Sequence, residues 1–131
     1  MREILFRGKR IDNGEWAYGS VVVCNGEDGT APTLAEIYEK GMGEALLVDP
    51  ATVGQFTGVL DKNGTKIFEG DIMPLYEDGE KFNWKVIFNG GVFCLSFLND
   101  EQFHKHIEGR YYLREVIGNI HDNPELLEAV Q

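Results

Sequence analysis

Residues 55–72 read QFTGVLDKNGTKIFEGDI and carry the clearest structural signal in the chain. Before the turn, Val53–Val59 has the β-favouring residues of a strand interrupted by glycine, and after it Lys66–Met73 alternates partly between polar and apolar residues. Asp61–Gly64 lies between them and contains an Asn-Gly pair, which accepts positive φ angles at low cost. The stretch therefore predicts a hairpin.

Four further predicted strands lie on either side of two turns, the Asn-Gly turn at Asp12–Gly14 and the turn at Asn89–Gly91. They are Glu3–Gly8, Trp16–Cys24, Trp84–Phe88 and Val92–Phe97, and Leu46–Asp49 is a fifth short strand that is ended by Pro50. Many short strands with frequent turns predict a mainly β fold, either a sandwich or a small barrel, and the 16 glycines suit its tight corners.

Three regions have weaker patterns. Residues 32–45 fit either a short helix or a strand around Glu36–Tyr38 beside an acidic loop, and the sequence leaves both open. The polar run Asn99–Gly109 is typical of a helical turn or a loop. Near the carboxyl terminus, Asn123 as cap and Pro124 at the first position predict a short helix.

The 131 residues, 43% of them hydrophobic, suit one domain over 1–131, with a soft division near Pro50 into an amino-terminal β lobe with an acidic loop (1–50) and a second region (51–131). No apolar run approaches the roughly 20 residues that cross a bilayer. Charges occupy the start of the chain, where a signal peptide needs an apolar core. We therefore expect a cytoplasmic protein without a membrane partner, and two cysteines suit that reducing compartment.

The formal net charge is -10, and residues 21–60 contribute -5 of it. This sign opposes direct binding to nucleic acid, whose affinity comes largely from neutralised phosphates. The acidic surface has two interpretations that the sequence leaves open. It keeps the protein soluble, or it forms an interaction surface, in the sharpest version one that imitates DNA.

Candidate catalytic and metal-binding residues do not converge on a recognised pattern. His104 and His106 would share a strand face and could join His121 or Cys94, but the spacing matches no strong zinc motif. Glu69 and Asp71 flank Gly70, and the favoured interpretation is structural, with a bend or a bulge at the glycine and a backbone hydrogen bond to the aspartate.

Both cysteines, Cys24 and Cys94, lie in apolar strands and are predicted to be core residues without catalytic function. Phosphate-loop and nucleophile-elbow motifs are absent from the sequence. The sequence thus predicts no catalytic, cofactor-binding or metal-binding residue, no cofactor and no enzymatic activity.

Residues 55–72 resemble the hallmark of the YopX family nearly throughout. The opening Arg2–Arg10 is similar to the family's R-E-I-x-F-R start, and Glu115–Leu127 is similar to its closing E-V-I-G-N-I-x-[ED]-N-P-E-L. The resemblance implies a phage or prophage origin, a predominantly β structure and an SH3-like barrel over Asp61–Phe97. It implies no catalytic residue, because the family has no established biochemical activity.

The leading hypothesis is a non-enzymatic phage or prophage accessory protein that binds a host or phage protein, with a homo-oligomer as a further expectation. Its partner-specific surface is expected in the variable stretch Asn25–Glu44. The alternatives are a nucleic-acid-binding β-barrel that uses aromatic residues with Arg7, Lys9 and Arg10, and an acidic DNA mimic that inhibits a host enzyme. A metal- or carboxylate-dependent enzyme is the weakest alternative.

Overall fold

The computed structural model of the protein describes residues 3–25, 32–97, 100–106 and 114–127, and they form mainly antiparallel β-structure. The strands are β1 (Phe6–Lys9), β2 (Trp16–Asn25), β3 (Pro32–Tyr38), β4 (Ala45–Val48), β5 (Gly54–Leu60), β6 (Lys66–Phe68), β7 (Asp71–Glu77), β8 (Glu80–Asn89), β9 (Val92–Phe97), β10 (Asp100–His106) and β11 (Gly118–Asn119). Single 3₁₀ turns occur at Pro50–Thr52 and Pro124–Leu127. The predicted mainly β class is confirmed, with two sheets in the orders β4-β3-β2-β1-β5-β6 and β10-β9-β8-β7-β11. The described part of the chain has no helix long and apolar enough to cross a membrane.

The chain divides into two compact units, Met1–Phe56 and Thr57–Gln131. In the first unit, β1 and β2 form the hairpin predicted around the Asp12–Gly14 turn, and Gly14 has a φ of 72°. Antiparallel pairing continues from β2 to β3 and from β3 to β4, while the start of β5 lies beside β1. Residues 32–38 are therefore a strand, which settles the helix-or-strand alternative for this part of the chain.

The first sheet is strongly curled. Beyond Lys9, the chain bridges Arg10 to Val48 of β4, flanked by hydrogen bonds from Ile11 N to Leu47 O (3.1 Å) and from Asp49 N to Lys9 O (2.9 Å). Where β2 pairs with the end of β3, a Cβ on Gly19 would collide with the Tyr38 carbonyl. The enclosed core consists of Ala17, Ala35, Ile37 and Val48.

The second unit has a larger core. A T-shaped contact joins Phe82 to Phe97, with ring centroids 5.5 Å apart, beside the buried Trp84. Pro74 lies inside β7 but beyond the end of β11, so its missing N–H removes no bond from that ladder. The buried members of this core are Ile67, Met73, Leu75, Trp84, Val86 and Leu95.

Three sequence predictions need correction. Within the described residues, the predicted carboxyl-terminal helix is the 3₁₀ turn Pro124–Leu127, a tighter winding that is common in short pieces. The polar run at Asn99–Gly109 contributes the strand β10, which pairs with β9. The described strands form no closed SH3-like barrel over Asp61–Phe97, because the chain turns at Gly70 (φ 89°) and β6 and β7 then pair with different strands.

Candidate functional site

The Asp61 carboxylate joins the hairpin turn of the motif to the closing segment of the chain. Its Oδ1 accepts hydrogen bonds from the backbone N–H groups of Asn63 (2.8 Å) and Thr65 (2.9 Å). Its Oδ2 accepts one from Val116 N at 3.0 Å, 55 residues away in sequence. Asn63 Nδ2 also donates to Glu115 Oε2 at 3.1 Å. The motif and the closing segment are thus held together, and both oxygens of the Asp61 carboxylate accept backbone hydrogen bonds.

Asp71 likewise has a structural role. It is buried, and its Oδ2 accepts a hydrogen bond from Phe68 N at 2.8 Å. Gly70 between them donates to Val86 O and accepts from Ile120 N. The predicted bend at Gly70 and the predicted backbone hydrogen bond of Asp71 are confirmed. The carboxylate therefore shapes the entry to β7.

The closing segment is held in a turn by two asparagines. Asn119 Oδ1 accepts from His121 N (3.0 Å) and Asp122 N (2.9 Å), and Asn119 Nδ2 donates to Asp122 Oδ2 at 3.1 Å. Asn123 Oδ1 in turn accepts from Asn119 N at 3.3 Å. Strand β11 pairs Gly118 with Ile72 of β7, so the closing segment lies beside the end of the motif.

The histidine candidates are not assembled into a site within the described residues. His104 and His106 lie in β10, opposite Ser96 and Cys94 of β9, and their side chains lie outside the described part. Within that part, no group of three or more histidine, cysteine or acidic residues could hold a metal ion. Burial raises the pKa of the Cys94 thiol, because removal from water penalises the thiolate.

The basic residues proposed as a nucleic-acid patch are engaged within the first unit. Arg7 is buried, with its Cζ 4.6 Å from the centre of the Trp16 ring. Arg10 Nη2 forms an ion pair with Asp12 Oδ2 at 2.8 Å. This hydrogen-bonded pairing holds the pKa of Asp12 below its usual range and raises that of Arg10. Any stability from the pair is present at neutral pH and is lost as the pH falls through the pKa of Asp12.

The first unit also has a continuous apolar surface, formed by β2, β3 and β4. Ala35 and Ile37 of β3 are fully buried, so the alternation of the strand directs Leu34, Glu36 and Tyr38 to the opposite face. Across the sheet, the register places apolar residues of β2 and β4 beside them. We call this surface the outer face and define it by Val22, Cys24, Leu34, Glu36, Tyr38 and Leu47.

The outer face is contiguous and nearly uncharged. Val22 pairs with Glu36, which pairs with Leu47, and directly opposed side chains lie about 5 Å apart. Val22 is 46% exposed and Leu47 is 49% exposed, whereas Glu36 is half-buried between them. Glu36 is the single charged residue of the outer face, and β2 contains no charged residue in its ten positions.

Cys24 belongs to this face, so the prediction that both cysteines are core residues is wrong for Cys24 and confirmed for the buried Cys94. The expected variable surface Asn25–Glu44 overlaps the outer face only through β3, and Gly26–Ala31 lies outside the described residues. The sequence reasoning did not identify the face as a whole. An available signal was the absence of charge from both faces of β2.

The YopX protein family model matches residues 5–128, which is most of the chain. Among solved structures, protein EF1440 from Enterococcus faecalis is similar, with 26% identity and a TM-score of 0.57 over 98% of this chain and 100% of that one. Protein yopX from Bacillus subtilis has the same TM-score of 0.57 at 18% identity, with both chains fully covered, and supports the fold alone. A search of curated proteins gave no significant match. On the family match, together with the motif and closing segment described above, the chain belongs to the YopX family.

Proposed function

We propose that this chain is a non-enzymatic protein-interaction module and that the outer face of β2, β3 and β4 is its binding surface. The observation that carries the proposal is the contiguity of Val22, Leu34, Tyr38 and Leu47, each of which is more than a third exposed. Isolated exposed apolar residues are common on proteins, whereas a contiguous patch of them favours an interaction site.

The hydrogen bonding of the motif supports the same proposal. Asp61 and Asp71 accept backbone hydrogen bonds, so two of the carboxylates of the motif stabilise the fold. We therefore expect the functional surface outside residues 55–72. Function is carried by sites placed on a fold, so a scaffold held by the motif can present a binding surface elsewhere.

The biological setting is part of the proposal. The resemblance to the YopX family implies a phage or prophage gene, so we propose that the chain acts as an accessory protein in the bacterial cytoplasm. The partner would then be a host or phage protein. A second copy of the chain, forming a homo-oligomer through the same face, is the other protein partner that the test has to distinguish.

The contacts of the basic residues favour a protein partner over nucleic acid. Arg7 is buried against Trp16 and Arg10 is paired with Asp12, so two of the three residues of that hypothesis are occupied. The net charge of -10 also opposes phosphate binding. A DNA mimic would require rows of carboxylates, whereas the outer face has the single carboxylate of Glu36.

The test is site-specific photo-crosslinking in bacteria that carry the corresponding phage or prophage. A benzophenone amino acid replaces Val22 in the outer face or, as the control, Phe88, an exposed apolar residue of β8. We expect a discrete adduct with another protein from position 22, lost on adding Leu47→Asp and absent from position 88. Absence of an adduct at position 22, or the same adducts from both positions, would refute the proposed surface.

A further inference from the structure

The Glu36 carboxylate lies in the middle of the outer face and forms no hydrogen bond or ion pair with any residue that the structure describes. Its neighbours in the register are Val22 on one side and Leu47 on the other, and neither can pair with a charge. Glu36 as a residue is half-buried between these two apolar neighbours.

A partner that covers the outer face must remove the remaining water from Glu36. A carboxylate taken out of water without a compensating charge or hydrogen bonds is strongly destabilising. A partner with only apolar side chains would therefore bind at a penalty, whereas one that brings a cation to this position would satisfy Glu36. A single charge inside an apolar surface thus selects the chemistry of what binds there.

The sequence that forms β3 and β4 carries a net negative charge. Residues 32–49, which include β3 and β4, contain four carboxylates and a single cation, Lys40. This excess attracts a basic partner at long range and disfavours an acidic one. A second copy docked face to face about the centre of β3 would bring two Glu36 carboxylates together, so self-association through this face is disfavoured as well.

We propose that the occupant of the outer face is a segment of another protein that presents a lysine or arginine flanked by apolar side chains, with the cation paired to Glu36. This inference rests on the proposed function and adds the chemistry of the partner. The apolar flanks pack on Val22 and Leu47, and the cation is placed between them. The outer face therefore recognises a partner segment by its apolar side chains and by one positive charge.

The test is a selection of a yeast-displayed library of random 12-residue peptides on the full chain, keeping only clones that lose binding to the Leu47→Asp variant. We expect these clones to share a lysine or arginine between apolar residues. Glu36→Gln should weaken the corresponding synthetic peptides about tenfold, the scale of one satisfied charge pair. Glu80→Gln, at an exposed site in β8, is the charge-matched control and should leave binding within about twofold.

Charge reversal gives the decisive comparison. The same selection on the Glu36→Lys variant should enrich aspartate or glutamate at the position where the original chain enriches lysine or arginine. Clones that need Leu47 but carry no cation would overturn this inference and leave the proposed function standing. A dimer in sedimentation that Leu47→Asp abolishes would identify a second copy as the occupant and overturn it too. A selection without any Leu47-dependent clone would overturn both proposals.

Discussion

At the scale of single residues, Asp61 shows how one side chain of a family motif can hold two distant parts of a chain together. One carboxylate oxygen closes the turn through the N–H groups of Asn63 and Thr65, and the other reaches Val116. Each of these donors would otherwise need water or another acceptor. Asp61 therefore has a structural role in the turn and in its connection to the closing segment.

Asp61→Asn should destabilise the protein by about 1–3 kcal/mol in urea unfolding followed by tryptophan fluorescence. The amide can still close the turn through its oxygen, but its NH₂ group then faces the N–H of Val116, and two donors cannot bond each other. Asp78→Asn is the matched control, because Asp78 is exposed with a φ of 51°, which asparagine accepts well. If both variants unfold at the same urea concentration, the assigned role of Asp61 is wrong.

The two cysteines should react at very different rates with iodoacetamide at pH 8. Cys24 is exposed on the outer face, whereas Cys94 is buried and burial raises its pKa. Mass spectrometry of the folded protein should show modification of Cys24 first, with Cys94 modified only as the protein unfolds in urea. Equal rates under native conditions would contradict the burial of β9.

At the scale of elements, the β8–β9 hairpin illustrates a local sequence that specifies its own structure. Gly90 and Gly91 have φ angles of 62° and 85°, as a two-residue type I′ turn requires. The turn aligns Phe88 with Phe93, whose rings meet at 4.9 Å. Both the turn and the aromatic pair therefore favour the same register.

Gly90→Asn should stabilise the protein by about 0.4–1 kcal/mol, because asparagine tolerates the native φ and restricts the unfolded chain more than glycine does. No other atom lies within 4 Å of the position its Cβ would take. The comparison is Gly90→Val, which should lose about 1–2 kcal/mol because a β-branched residue disfavours positive φ. The midpoints of thermal unfolding of both variants test the turn type. A higher midpoint for the valine variant would exclude a type I′ turn.

The elements differ in how far the sequence could predict them. The hairpins at Asp12–Gly14, Asp61–Gly64 and Asn89–Gly91 were predictable because their turn residues carry the conformational signal locally. Strand β10 was not, because its polar run is strand only through its pairing with β9. Pairing of this kind is a tertiary effect that overrides local preference.

The outer face was harder to predict for a related reason. Sequence patterns identify the buried face of a strand by contrast with a polar face, and β2 has little such contrast. Val21 and Val22 have the same residue type, yet Val21 packs against the core and Val22 is exposed. The register that separates them is set by the neighbouring strands and could not be read from residues 16–25 alone.

At the scale of the whole molecule, the net charge of -10 is the dominant property. Like charges repel in the folded chain, and the repulsion extends furthest at low ionic strength, where the screening length is about 30 Å at 0.01 M salt. The charge therefore opposes compactness while favouring solubility.

Raising NaCl from 10 mM to 150 mM should increase the midpoint of thermal unfolding by roughly 2–5 °C, because salt screens this repulsion. Glu44→Lys, at an exposed position, should shrink the increase, whereas Glu44→Asp keeps the charge and should preserve it. Differential scanning calorimetry at the two salt concentrations makes the comparison. A midpoint that falls with salt would show that attractive ion pairs outweigh the repulsion.

The hydrogen bond between Asp61 and Val116 also has a consequence for biosynthesis. The donor follows the acceptor by 55 residues, so a ribosome adding about 5–20 residues per second supplies it about 3–11 s later. During that interval the nascent chain can close the Asp61 turn. Asp61 Oδ2 stays hydrogen-bonded to water until the N–H of Val116 has been synthesised. The Met1–Phe56 unit has its own core and is synthesised before either group. We therefore expect vectorial folding, in which the closing segment completes the motif only after Val116 has been synthesised.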